Sequence, residues 1–133
     1  MLSRFSGIQN QLIKFGLLLC VLVATNVQAT TGKDANVAWA KIEAGAVLID
    51  VRTPAEFARG HIENAINIPF EQILQGVSHY KIDKKTPIVV YCRSGRRSGI
   101  ANQDLLNAGF EQSYNGGGFV PLIQHKQQRT ATN

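Results

Sequence analysis

Two apolar runs set the fold class. Ala46-Val47-Leu48-Ile49-Asp50-Val51 and Pro87-Ile88-Val89-Val90-Tyr91 are rich in β-branched and aromatic residues, with almost no polar alternation. A strand with one wet face alternates apolar and polar residues. A run apolar on both faces needs cover on both, as in a parallel sheet between helices. Helix-forming segments separate the runs. Asn36 caps a predicted helix through Ala44, stopped by Gly45. Pro54 opens a short helix over 55–59, which Gly60 closes. A short strand over 65–68 ends at Pro69, and a helix follows over 70–79. Residues 98–108 have helical spacing (Ile100, Ala101, Leu105, Ala108) and stop at Gly109. A short strand is expected at 112–114, then three glycines, then a final helix over 119–126 and a frayed polar tail over 127–133. The order predicts an α/β domain, with a mostly parallel central sheet and helices on both faces. Trp39 and Phe57 are expected in its core.

The first 29 residues are of a different kind. Arg4 and Lys14 precede an uncharged apolar run over 15–24, Asn26 and Gln28 end it, and Val27-Gln28-Ala29 has small residues spaced as at a cleavage site. This pattern predicts a signal peptide over 1–29, cut after Ala29, and a domain over 30–133 with its core at about 34–126. An uncleaved anchor is the alternative, but a span needs about 20 apolar residues and Lys14 interrupts this one. Cys20 is a poor lipidation site, because bulky Leu19 precedes it. The chain has two cysteines, and cleavage leaves Cys92 alone. A single thiol is a reactive group, an intermolecular link or a small buried apolar residue.

Charge helps to choose among these. The chain carries 14 basic and 9 acidic residues, a formal +5. Arg4 and Lys14 leave with the leader, so 12 basic residues remain against 9 acidic ones. Setting aside Arg93, Arg96 and Arg97 makes the two numbers equal, so the excess is one loop. That is no stripe of cations with interleaved aromatics, and nucleic acid is not expected as a partner. In Tyr91-Cys92-Arg93-Ser94-Gly95-Arg96-Arg97-Ser98 a buried strand ends at the thiol and a helix begins shortly after. Sites in open α/β sheets form outside the carboxyl ends of strands. The following helix presents unpaired N–H groups, and a tight curl through Gly95 can aim others at its own centre. Positive charge and a helix N-terminus favour a thiolate. The loop therefore joins a nucleophile to an anion site; the competing reading is a core cysteine beside a solvated loop.

Cys92-Arg93-Ser94-Gly95-Arg96-Arg97 resembles the active-site loop of rhodaneses, the thiosulfate sulfurtransferases. Asp50-Val51-Arg52-Thr53-Pro54-Ala55-Glu56-Phe57-Ala58-Arg59-Gly60-His61-Ile62, continuing through Ala65, Asn67, Ile68 and Pro69, is similar to that family's second signature. Together with the leader, the chain looks like the small periplasmic single-domain rhodaneses of the phage-shock type. The resemblance implies a rhodanese-like fold. It implies Cys92 as nucleophile and persulfide carrier, taking the outer sulfur of thiosulfate and passing it to cyanide or a thiol. It also implies that Arg93, Ser94, Gly95, Arg96 and Arg97 bind the substrate through backbone N–H groups and arginine charge. The related phosphatases carry Cys-x5-Arg, a loop one residue longer, whereas Arg97 is five positions after Cys92. That spacing argues against phosphoryl transfer. The family often has an aromatic, commonly Trp, just after its C-terminal glycines; this chain departs from that pattern with Phe119-Val120-Pro121, which bears on the packing of the final helix and not on the chemistry.

Asp50 and Arg52 are expected to support the site as a frame of paired charge, with Glu56 nearby. His61 is expected to hold a turn. His79 and His125 have no ligand-type neighbours in sequence, so no metal and no cofactor is expected. The expected partners are a small-molecule donor and a thiophilic acceptor, with no membrane contact after cleavage and a monomeric state. The alternative is a non-catalytic persulfide carrier or anion-binding module.

Overall fold

A computed structural model describes residues 32–133. The leader, its cleavage point, Cys20 and the cations Arg4 and Lys14 lie outside the described residues.

Four strands form one sheet: β1 (Val47–Asp50), β2 (Ile66–Asn67), β3 (Ile88–Cys92) and β4 (Ser113–Gly118). Their order is β2-β1-β3-β4 and every pairing is parallel. The carboxyl ends therefore share one edge. Asp50 stands opposite Asn67 and Tyr91, and Cys92 opposite Gly118. Because β1 leads outward to β2 and β3 leads the other way to β4, the chain reverses direction between β1 and β3. A crevice at that edge is where such sheets bind ligands.

Among the described residues five α-helices accompany the sheet: α1 (Ala35–Glu43), α2 (Pro54–Ala58), α3 (Ile73–His79), α4 (Arg96–Asn107) and α5 (Phe119–Ala131). All five residues of β3 are buried, and their alternation sorts the two faces. Ile88, Val90 and Cys92 pack with Ile73 and Val77 of α3 and Ala101 and Leu105 of α4. Val89 and Tyr91 pack with Ala38 and Trp39 of α1 and Leu122 of α5. The two-period of one strand thus points Cys92 at α4.

Several expectations need correction. The cap of α1 is Asp34, two residues before Asn36: its carboxylate accepts the N–H of Asn36 at 2.8 Å and of Val37 at 3.3 Å. The segment 70–79 opens with a 3-10 turn (Phe70–Gln72) before α3. α4 starts at Arg96 rather than at 98, because Gly95, with φ 89°, turns the chain directly into it. The polar tail is helical through Ala131: no glycine or proline interrupts it after Pro121, and Arg129 reaches Glu43 at 3.1 Å. Trp39 is core, its Nε1–H donating to Leu122 O at 2.9 Å, but Phe57 is only half-buried, stacked on His61 with ring centroids 3.6 Å apart. His61 does hold its turn, through Nδ1 and Phe57 O at 2.9 Å.

The last strand also runs through the glycines instead of ending before them. Val90 pairs with Asn115 and Tyr91 with Gly117, so Gly116 is the extra residue of a bulge. A Cβ on Gly116 would lie 2.9 Å from Val89 Cγ1 and 3.2 Å from Val90 O. Only glycine lets β4 approach β3 so closely. Gly116→Ala is expected to lower stability: overpacking costs about 1–3 kcal/mol, against about 0.4–1 kcal/mol gained from a stiffer unfolded chain. Thermal unfolding should show a midpoint several degrees lower, and an unchanged or raised midpoint would contradict this packing.

Candidate active site

Cys92 is fully buried at the carboxyl end of β3. The loop after it curls back over the sulfur. Gly95 N–H donates to Sγ at 3.0 Å, and Ser98 Oγ, in the first turn of α4, stands 3.3 Å away. Burial pushes the Cys92 thiol up, but hydrogen bonds from the Ser98 hydroxyl and from the backbone N–H groups of Ser98, Ser94 and Gly95 outweigh it and hold the thiol below its ordinary value. The groups within hydrogen-bond reach of Sγ are the Gly95 N–H and Ser98 Oγ, the latter on the first turn of α4.

Gly95 is fixed from two sides. Its positive φ suits glycine, and an added Cβ would meet Lys33 Cε at 3.1 Å and Gly117 Cα at 3.3 Å. Lys33 is therefore part of the loop's support, held by its N–H donating to Asn115 O at 2.6 Å. Asn115 is 3% exposed and links the loop to β4. Its Nδ2 donates to Gly95 O at 3.1 Å, and its Oδ1 accepts from Ser98 Oγ at 2.7 Å. Lys33, Ser98 and Asn115 were not expected from the sequence. A small polar residue one turn past the cysteine was the available signal for Ser98, hidden by starting the helix two residues late.

The three loop arginines part company. Arg93 and Arg96 are exposed and without an ion pair among the described residues. Arg97 instead makes a two-pronged pair with Glu56 of α2, at 2.8 and 2.9 Å. Glu56 also closes a capping box with Thr53, accepting Thr53 N–H at 3.0 Å and returning its own N–H to Thr53 Oγ1 at 3.2 Å. The Arg97 guanidinium, then the Thr53 N–H, hold the Glu56 carboxyl well below the usual carboxylate range. Glu56 thus ties the two signature segments together, a pairing with Arg97 rather than with Arg52.

Arg52 pairs with buried Asp50 at 2.6 Å and donates to Gly60 O at 2.7 Å. Its guanidinium lies 4.6 Å over the Phe119 ring, which stacks on Tyr91 at 6.1 Å. Tyr91 Oη accepts the N–H of Ile62 at 3.0 Å, and burial pushes its phenol far above the ordinary value. Asp50 and Arg52 are therefore a frame, and Phe119 is its apolar plate. Beside it opens a cleft of about 380 Å³ lined by Arg52, Glu56, Arg59, Arg93, Phe119 and Val120. Cys92 is not on its wall; Arg93, the next residue, is. Among the described residues no group of three or more potential metal ligands occurs, and no helix is long and apolar enough to cross a membrane.

The comparisons with known proteins agree with this geometry. The family described as Rhodanese-like domain matches residues 34–121. The chain is 35% identical over 78 residues to thiosulfate sulfurtransferase PspE of Escherichia coli, across 59% of this chain and 75% of that protein. It is 39% identical over 80 residues to a sulfurtransferase of Allochromatium vinosum, across 59% and 73%. Several other curated relatives are longer, and the chain spans between about half and two thirds of their length. Among solved structures, a rhodanese with anions from E. coli superposes with a TM-score of 0.54 at 35% identity, covering 56% of this chain and 88% of that one.

Two pH dependences follow. Glu56 is more acidic folded than unfolded, so its stabilising contribution is complete above about pH 4.5 and is lost as pH falls below that. Glu56→Gln should lower the melting temperature at pH 7 and narrow the gap to wild type at pH 3. A gap independent of pH would contradict the pairing. For Cys92, iodoacetamide labelling of its peptide should rise with pH through a midpoint below about 8.5, the unperturbed thiol value. A midpoint at or above that value would contradict the cradle.

Proposed function

This chain belongs to the rhodanese-like family, and on that premise we propose that it moves the sulfane sulfur of thiosulfate to a thiophilic acceptor through a persulfide on Cys92. Its sulfurtransferase relatives support sulfur transfer in general. The observation that carries the finer reading is the donor set around Sγ, which stabilises a buried negative sulfur.

Cys92 thiolate attacks the outer sulfur of thiosulfate. A new S–S bond forms as the bond to the sulfonate sulfur breaks, and sulfite leaves with that electron pair. The product is a persulfide whose outer sulfur sits about 2 Å beyond Sγ, toward the mouth of the loop. An acceptor thiolate or cyanide ion then attacks the outer sulfur, and Cys92 is released as thiolate with the pair from the broken S–S bond. Both leaving groups depart as anions, so no general base is needed. The Gly95 N–H serves the negative sulfur at every stage, with the Ser98 hydroxyl beside it. Exposed Arg93 and Arg96 draw the dianion to the loop, while Arg97 holds the loop to α2. The cleft beside Arg93 is roomy enough for an acceptor larger than cyanide, with Arg59 and Arg93 as its uncompensated charges. Export and cleavage after Ala29, a periplasmic location and a monomeric state belong to the same proposal. Export and cleavage are supported by the basic, then apolar, leader.

Thiosulfate should add about 32 Da to the Cys92 peptide, and cyanide should remove it with formation of thiocyanate. Cys92→Ala should reduce thiocyanate formation to the buffer rate; equal rates in both proteins would overturn the reading. Mass gain without turnover would replace it with a carrier. Arg93→Ala should raise the KM for thiosulfate roughly three- to tenfold, the scale of one exposed charge acting on a dianion, and leave the melting temperature within a degree or so. A loss of melting temperature as large as the loss of activity would mark Arg93 as structural.

A further inference from the structure

The hydrogen bonds behind Cys92 close a ring. Sγ accepts from Gly95 N–H and faces Ser98 Oγ; Ser98 Oγ donates to Asn115 Oδ1; Asn115 Nδ2 donates to Gly95 O. The Asn115 amide has no freedom to flip. Its Oδ1 also takes the N–H of Gly117 at 3.0 Å, a group that only donates, and Gly95 O only accepts. With its proton on Oδ1, Ser98 offers Sγ lone pairs alone. That suits a protonated thiol, whose S–H donates to Oγ. A thiolate requires the reverse. Ser98 thus has one proton and two claimants, 2.7 and 3.3 Å away.

Releasing the proton leaves nothing stranded. When the hydroxyl turns to sulfur, Oδ1 still accepts from Gly117, so no buried acceptor loses its last partner. The charged groups around the sulfur are exposed Arg93 on the loop and Arg96 at the start of α4, Arg97 on α4, held by Glu56 of α2, the Asp50–Arg52 pair at the end of β1, and Lys33 against Gly95. None of them gives Sγ a hydrogen bond among the described residues.

We propose that Ser98 is a switching donor, turning its hydroxyl from Asn115 to Cys92 whenever the sulfur carries charge, and that Asn115 is the positioning residue that holds it ready for either state. The inference rests on Cys92 as persulfide carrier, and its largest effect falls on discharge. There the S–S bond breaks, the electron pair stays on Sγ, and the Ser98 O–H meets the charge as it forms. In loading, the same hydrogen bond raises the thiolate fraction but lowers the nucleophilicity of the sulfur, so the two effects offset. Loss of Ser98 therefore slows discharge more than loading.

The test uses the full chain as wild type, Ser98→Ala, Ser98→Thr and Asn115→Asp, each checked by thermal unfolding. Iodoacetamide labelling of the Cys92 peptide against pH is the first readout. It needs no sulfur donor, so it separates failure of this inference from failure of the sulfur-transfer reading. Ser98→Ala should move the midpoint up by about one pH unit, a tenfold loss of thiolate at fixed pH. Ser98→Thr keeps the hydroxyl and should restore the wild-type midpoint. Asn115→Asp keeps the outline but exchanges the Nδ2 donor to Gly95 O for an oxygen, and its carboxylate makes a stronger claim on the Ser98 proton, so it should also move the midpoint up. In single turnovers Ser98→Ala should slow persulfide discharge several-fold more than loading. A folded Ser98→Ala with the wild-type midpoint overturns the proposal, as does an equal slowing of both half-reactions. If Ser98→Ala does not fold, an Asn115→Asp midpoint at or below wild type is the deciding contrary result.

Discussion

A negative sulfur sealed from water is tolerable only where hydrogen-bond donors replace the water. Cys92 sits at the end of a strand with no exposed residue, so desolvation alone would keep its thiol protonated. The first turn of α4 and the curl before it supply the donors that reverse this. Much of the fold can be traced to that requirement. β3 must end at the carboxyl edge of the sheet, α4 must begin within a few residues, and Gly95 must turn the chain between them. β4 must come close enough for Asn115 to hold the loop, which requires glycine at 116.

The charge of the chain takes a different meaning once partners are assigned. Arg97 is neutralised by Glu56 and Arg52 by Asp50, so neither is a free cation in the site. Among the described residues, the charges near Cys92 without an ion pair are Arg93, Arg96 and Lys33, with Arg59 on the neighbouring cleft, all exposed. Attraction of an anion is thus separated from rigidity of the loop. Exposed cations guide the substrate through a screened field, while paired ones fix the elements between which it enters.

What could be read from the sequence was what neighbouring residues decide. The apolar runs at 46–51 and 87–91 gave strands because burial on both faces leaves no other pattern, and the loop after Cys92 was visible from its own composition. The α/β class and parallel sheet followed. What stayed hidden is set by partners far along the chain. Glu56 meets Arg97 across 41 positions, and Asn115 meets Ser98 across 17. The facing of Asn115 is set by strand register, which no local pattern announces: it pairs with Val90, and so shares the α4 side with Cys92. Phe57 illustrates the opposite error. A large aromatic in a short helix suggests core, yet it is only half-buried, stacked on His61.

The central claim is that the loop after β3 holds a negative sulfur on Cys92 and hands on a second one. A crystal of the protein soaked in thiosulfate tests it most directly. The account predicts added electron density for one atom about 2 Å beyond Cys92 Sγ, surrounded by the N–H groups of the loop. An unmodified Sγ after soaking, in crystals where thiosulfate is seen bound elsewhere on the molecule, would contradict it.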